Sequence, residues 1–139
     1  MTNITFHGGV NDIGGNKFLV ESKDTKVFMD FGMSFSQEGQ FFSQFLGART
    51  SNSLNDMFEL GILPKIKGLY RRDYARHMDF DGNEDTEIDA VLLTHAHVDH
   101  CAYLPYLRED IPIYCSEESK LILQNFDETS SSQYLTAKQ

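Results

Sequence analysis

Four side chains that commonly bind metal ions fall within six consecutive positions of the sequence. The segment THAHVDH, residues 94–100, follows an apolar run and holds three of the five histidines of the chain. Its four donor side chains are those of His95, His97, Asp99 and His100. Imidazole nitrogens combined with a carboxylate oxygen suit Zn²⁺ best, and Mn²⁺ or Fe²⁺ accept the same donors. The segment therefore predicts a metal site.

The spacing of these donors divides them between two ions. Alternate side chains of a strand point the same way, so His95 and His97 are expected to bind one ion while Ala96 packs on the opposite face. If a helix begins near Asp99, then Asp99 and His100 project from its first turn and are expected to bind a second ion, as two-metal hydrolytic sites require. Asp99 is also the predicted catalytic residue, because it is best placed to orient an attacking hydroxide.

The surrounding sequence predicts an α/β fold. Three short strands separated by glycine-rich or polar turns open the chain as a β-meander within residues 3–32. A buried strand within residues 88–94 leads into the histidine segment, and a short strand follows at residues 111–115. A helix over residues 116–126, with Ser116 as its N-cap, continues the alternation of strands and helices.

Two segments have weaker patterns. We interpret residues 33–87 as an insertion, with one amphipathic helix predicted within residues 52–63. The tail, residues 127–139, has little periodicity and is predicted to be frayed or a linker. The nearly continuous apolar run KVFMDF, residues 26–31, is typical of a strand covered on both faces, and Asp30 inside it needs a partner.

Composition limits the class of protein. A chain of 139 residues with 40% hydrophobic and 24% charged residues fits one globular domain. Two cysteines are too few for a disulfide framework, the N-terminus has no secretory-signal pattern, and no apolar run is long enough to cross a bilayer. These features predict a cytoplasmic protein without a membrane span.

The charge distribution leaves the question of nucleic-acid binding open. The net charge of −9 is unfavourable for general polyanion binding. Five of the twelve basic residues nevertheless lie within residues 65–76, opposed only by Asp73 and interleaved with tyrosines. This basic patch either contacts a nucleic-acid backbone or forms a solvated helix face. Its members are Lys65, Lys67, Arg71, Arg72 and Arg76.

The histidine segment and the opening of the chain together resemble the metallo-β-lactamase superfamily. The segment THAHVDH is preceded by GGVNDIGGN at residues 8–16 and by VFMDFG at residues 27–32. With CAYLPYL and IPIYCSEES after it, the pattern is most similar to the nuclease branch, the ribonuclease J and cleavage-and-polyadenylation-factor type with a β-CASP cap. The resemblance covers about residues 3–125, and residues 33–87 align only loosely.

This resemblance implies the first half of a four-layer αββα sandwich. Residues 1–126 correspond to the N-terminal half of the catalytic domain, and residues 127–139 to a tail or linker into a second half. The resemblance also implies two metal ions, most simply zinc, that activate a bridging hydroxide for attack on an RNA or DNA phosphodiester. Asp30 corresponds to the family's first-motif aspartate, which supports the metal cluster.

The family completes its metal site with two further histidines and an aspartate from later segments. No histidine follows His100 here, and His7 and His77 are expected to be ordinary surface histidines. We therefore expect a second chain or a C-terminal half to complete the site. Half a sandwich leaves an apolar face and a sheet edge uncovered, which favours association, including homo-oligomers.

The leading functional interpretation is a zinc-dependent ribonuclease that is incomplete, and inactive alone, without its second half. One alternative is a hydrolase of thioesters, lactones or β-lactams on the same fold. Another alternative is a non-catalytic metal-binding or scaffolding subunit that pairs with another chain.

Overall fold

The computed structural model describes residues 1–42, 53–75 and 85–129, in which five strands form one mixed sheet in the order β1-β2-β3-β4-β5. The strands are β1 (Thr2–Phe6), β2 (Phe18–Ser22), β3 (Thr25–Met29), β4 (Ala90–Leu92) and β5 (Ile113–Tyr114). The helices are α1 (Phe35–Phe41), α2 (Ser53–Glu59), α3 (Val98–Cys101) and α4 (Glu117–Thr129), with a 3₁₀ turn at Leu104–Tyr106. No helix in these three ranges combines the length and apolar character that a membrane span requires.

The sheet changes direction in its middle, and this change positions the site. Strands β1, β2 and β3 pair antiparallel, so the predicted meander is confirmed. Strand β3 then pairs in parallel with β4, and β4 pairs in parallel with β5. Because the carboxyl ends of parallel strands meet at one edge of a sheet, Asp30 after β3 and Thr94 after β4 lie side by side.

In the part of the chain that the structure describes, other elements cover just one of the two faces of the sheet. Leu19, Phe28 and Val91 point into the core and are 8%, 0% and 0% exposed. The sequence predicts β3 to be covered on both faces, and this prediction is wrong for the described structure, since Met29 is 37% exposed. The continuous apolar character of β3 therefore indicates a second apolar face, and none of the described residues covers that face.

Two predicted helices are confirmed with their local signals. Helix α2 buries one apolar face and ends where Gly61 adopts a positive φ of 69°. Helix α4 begins after Ser116, whose Oγ accepts a 3.2 Å hydrogen bond from the backbone N–H of Ser119, as an N-cap does. It continues through Thr129, so the first residues of the predicted tail are helical, and residues 130–139 lie outside the described ranges.

Candidate metal centre

The four predicted metal ligands lie on a loop and a short helix. Strand β4 ends at Leu92, so the expected extension of the strand through His95 and His97 is not observed. The chain turns at residues 93–97, and α3 begins at Val98. Ala96 is 5% exposed, so it packs inward as predicted, whereas the two flanking histidines remain accessible.

The buried side chain of Asp30 binds this loop through hydrogen bonds. Its side chain is 4% exposed, and its carboxylate accepts hydrogen bonds from the Thr94 backbone N–H at 2.8 Å and from the Thr94 hydroxyl at 2.9 Å. The Nδ1 atom of His100 lies 2.8 Å from the same carboxylate. Asp30 has a φ of +59°, a left-handed conformation that aspartate tolerates better than most residues. The partner that the sequence requires for this buried carboxylate is therefore present.

These contacts fix which imidazole nitrogens carry lone pairs. His100 Nδ1 faces an acceptor-only carboxylate, so it carries the proton and leaves the Nε2 lone pair free. The single hydroxyl proton of Thr94 goes to Asp30, so its oxygen accepts from His95 Nδ1, 3.0 Å away. The Nε2 atom of His95 therefore carries a lone pair as well. A carboxylate or hydroxyl behind an imidazole is the usual support for a metal-binding histidine.

The predicted donor atoms meet in two pairs. His95 Nε2 lies 3.1 Å from His97 Nδ1, and His100 Nε2 lies 3.4 Å from Asp99 Oδ2. Two ligands on one tetrahedral zinc ion, with bonds of about 2.0–2.1 Å, are about 3.3 Å apart. The pairs adjoin, because the ring centroids of His95 and His100 are 4.0 Å apart.

The donor set fits zinc as two half-sites. Within the three described ranges, no group of three or more His, Cys, Asp or Glu side chains is arranged to hold one ion. Each pair supplies two of the four ligands that a tetrahedral ion takes. The chemistry and spacing of each pair therefore suit zinc, while the remaining ligands are absent from the described residues.

Glycines allow the chain to approach this cluster closely. A Cβ atom on Gly32 would lie 1.8 Å from the backbone oxygen of Asp99, and one on Gly14 would lie 2.7 Å from the Asp99 Cβ. The side chain of Asn16 also reaches the site, with Nδ2 3.2 Å from His100 Nε2. Sequence reasoning overlooked Gly32, Asn16 and Thr94 as site residues, although the G-G-N and D-F-G triplets were visible.

Of the two remaining histidines, the structure describes His7 and does not describe His77. The Nε2 atom of His7 is buried without a hydrogen-bond partner among the described residues, so the expectation of an ordinary surface histidine is wrong. Burial, followed by the nearby Lys17, lowers the pKa of His7, while Glu21 opposes the decrease. His77 lies outside the described ranges.

Two of the five cations of the basic patch are paired with neighbouring carboxylates. Lys65 pairs with Glu59 at 3.0 Å, and Arg71 pairs with Asp73 at 2.8 Å and with Glu109 at 3.4 Å. Cations held in this way are less available to phosphates. Lys67 and Arg72 also have interaction partners, and Arg76 lies outside the described ranges. Nucleic-acid contact through these five residues stays a prediction.

Comparison with known proteins identifies relatives that include a ribonuclease and a transcription termination factor. A family model described as a beta-lactamase superfamily domain matches residues 68–133. The chain is 30% identical over 134 residues to ribonuclease J of Helicobacter pylori, covering 94% of this chain and 15% of that protein. It is 27% identical over 120 residues to transcription termination factor FttA of Methanocaldococcus jannaschii, covering 84% of this chain and 14% of that factor.

A solved structure supports the same relationship. A protein of unknown function from Enterococcus faecalis V583 superposes with a TM-score of 0.70 at 30% identity, covering 94% of this chain and 29% of that chain. The present chain thus spans about a seventh of the length of the curated relatives named above. The match extends over the meander, the histidine segment and α4, which together build the predicted first half of the fold.

Proposed function

Because the chain belongs to the metallo-β-lactamase superfamily, we propose that it supplies the first half of a two-zinc centre that hydrolyses RNA phosphodiesters. The observation that carries this proposal is the pairing of donor atoms, His95 with His97 and Asp99 with His100, at ligand-to-ligand distances. The hydrogen bonds to Asp30 fix the tautomers that such binding needs.

The residues of the chain have separate roles in this proposal. His95 and His97 would hold one ion, and His100 with one oxygen of Asp99 would hold the other. Zinc, when bound, lowers the pKa of water and neutralises charge on a phosphoryl group; Mn²⁺ or Fe²⁺ would serve with the same donors. The Asp99 side chain is 21% exposed, so its second oxygen is placed to orient the attacking water. Asp30 holds His100 in position and does not touch the substrate.

The choice of RNA rests on the named relatives, one of which is a ribonuclease. Both cysteines are unpaired, which suits the reducing, cytoplasmic compartment in which we place this activity. A net charge of −9 gives the chain little general affinity for polyanions. Substrate binding therefore depends on the ions and on surfaces supplied by another part of the enzyme.

A second half, joined to this one or carried by another chain, would complete the centre. Among the residues that the structure describes, each donor pair lacks two ligands, and no histidine follows His100 in the sequence. The uncovered face of the sheet offers the surface for that half. One register across all five strands is apolar on this face, through the paired residues Phe6, Phe18, Met29, Leu92 and Tyr114. A row of this kind is suited to packing against a second sheet.

Zinc binding by the chain itself is the first test. Titration against a chromophoric chelator should detect binding in the unaltered chain, and His97→Ala should weaken it because one of two donors for an ion is lost. The variant His7→Ala removes an imidazole outside the cluster and serves as the matched control. Equal affinities for the two variants would contradict the assignment of ligands.

The reaction is tested on the chain joined to a C-terminal half that supplies the missing ligands. A labelled RNA with a 5′ monophosphate is compared with a panel of thioesters, lactones and β-lactams. Cleavage of the RNA, lost in Asp99→Asn, is the expected result. Turnover of the small esters without RNA cleavage would replace the nuclease with an ester hydrolase, and zinc binding without any turnover would indicate a binding or scaffolding subunit.

A further inference from the structure

Lys17 is a buried cation that no carboxylate of the described residues pairs with. It is 1% exposed, and its Nζ donates hydrogen bonds to the backbone oxygens of Gly15 at 3.1 Å and Gly32 at 2.9 Å. The ring of Tyr103 lies 5.5 Å from Nζ. Lysine is almost never fully buried unless it is paired with an opposite charge. A reason other than stability is therefore needed for a lysine at this position.

The two oxygens that Lys17 joins belong to different segments. Gly15 lies in the loop between β1 and β2, and Gly32 lies in the segment that follows β3. One ammonium group carries three donors, so it bridges two carbonyls that no single backbone N–H could satisfy together. An apolar side chain of the same length would leave both oxygens without this partner.

Both joined segments form hydrogen bonds to α3, the helix that carries Asp99 and His100. From the first segment, the Asn16 N–H donates to the Asp99 backbone oxygen at 3.3 Å. From the second, the Phe31 N–H donates to the His100 backbone oxygen at 2.8 Å and the Met33 N–H donates to the Val98 oxygen at 3.2 Å. Helix α3 has only four residues, so these cross-links rather than its own hydrogen bonds determine where it lies.

We propose that Lys17 is a positioning residue for the metal centre. Its ammonium, together with the backbone hydrogen bonds from Gly15 to Met33 and from Gly32 to Asn16, joins the two segments that fix α3 and thereby sets where Asp99 and His100 lie. The charge is retained although it is buried, because only a multiple donor can hold both carbonyls. The inference depends on the proposed function for its metal-binding readout alone, since the geometry of the segments can be measured without metal.

The first measurement is amide hydrogen exchange in the metal-free chain. Lys17→Met removes the ammonium and keeps the length of the side chain. The matched control is Lys26→Met, at a half-buried lysine of β3 that pairs with Glu87 and Glu21 away from the metal centre. The cross-linking amides of Asn16 and Phe31 should exchange at least tenfold faster in Lys17→Met, beyond any change at Val91 in the core. Lys26→Met should leave this ratio unchanged. Equal effects at the cross-links and at Val91 would overturn the proposal, because they would indicate a general loss of stability.

The second measurement is zinc affinity. Supports behind metal ligands commonly contribute about 10–100-fold to affinity, so Lys17→Met should weaken zinc binding by at least tenfold relative to Lys26→Met. Lys17→Gln, which keeps neutral N–H donors, should recover part of the loss. Faster exchange with unchanged zinc affinity would reject the positioning role. If the unaltered chain bound no zinc while the cross-links still loosened, the proposed function would fail and the role of Lys17 in fixing α3 would stand.

Discussion

The buried ammonium of Lys17 should make the stability of the fold depend on pH in the alkaline range. Burial lowers the pKa of Lys17 from 10.5 to about 8, and the carboxylate of Asp12 opposes the decrease. The other titratable neighbours are His7, whose pKa is lowered, and Tyr103, whose pKa is raised by burial. Since one pKa unit corresponds to about 1.4 kcal/mol, keeping Lys17 charged in the folded state costs about 3 kcal/mol.

The direction follows from proton binding. Between pH 8 and pH 10.5, folded Lys17 releases its proton while the unfolded chain still holds one, so the unfolded state binds more protons. The free energy of unfolding therefore rises with pH in this window, and below pH 8 the cost is fully present. The free energy of unfolding of the unaltered chain minus that of Lys17→Met should therefore increase by about 3 kcal/mol from about pH 7 to pH 10.5.

Urea denaturation at a series of pH values measures this difference. The chain has no tryptophan to report unfolding by fluorescence, so far-ultraviolet circular dichroism is the suitable signal. Subtracting Lys17→Met removes the contribution of every other titrating group that the two proteins share. Lys26→Met should show the same rise as the unaltered chain with a nearly constant offset, because the contact with Glu87 raises the pKa of Lys26 and keeps it protonated through the window. A difference that stays constant from about pH 7 to pH 10.5 would refute the reasoning that burial without a counter-charge holds Lys17 in its unfavourable state.

Four further substitutions test the packing of the site, of α1 and of α4. Gly32→Ala places a Cβ 1.8 Å from a backbone oxygen of α3, so it should lower the unfolding free energy by about 3 kcal/mol; Gly39→Ala, with nothing within 4 Å, should instead raise it by about 1 kcal/mol. Thr94→Val leaves Asp30 without its hydroxyl partner, so stability should fall by about 1–3 kcal/mol and zinc affinity by about tenfold or more. Ser116→Ala removes the N-cap of α4 and should cost about 1 kcal/mol. Urea denaturation measures the stabilities, and chelator competition measures the zinc affinity. An unfolding free energy that stays unchanged in Gly32→Ala or Thr94→Val would contradict the contacts described.

Local sequence signals predicted much of the fold. Alternation and turn residues located the meander, an apolar run located β4, and Ser116 located the start of α4. These features depend on residues that are close together along the chain. The crowding of donors at residues 94–100 was visible for the same reason, and the structure arranges the four side chains as two adjoining pairs.

Asp30 was assigned a supporting role through the family resemblance, but the partners within the site were not predictable because they are distant in sequence. Asp30 meets Thr94 across 64 positions, and Asn16 meets His100 across 84. The requirement for glycine at position 32 arises only when α3 packs against it. Lys17 has the polarity of a surface residue, and only the fold reveals that it is buried. The apolar run in β3 indicated two hydrophobic faces, yet it did not indicate that one of them is uncovered in the described structure.

The parallel pairing of β3 with β4 has a consequence for the order of folding. The antiparallel meander needs loops of eleven and two residues, far shorter than the connection from β3 to β4, so it can form while the rest of the chain is still disordered. The pairing of β3 with β4 joins Val27 to Ala90, and closing such a long loop is slow compared with forming a hairpin. Asp30 cannot reach Thr94 or His100 until that loop has closed. We therefore expect the donor pairs to assemble in the last steps of folding, so that zinc captured earlier would meet mobile histidines rather than a formed centre.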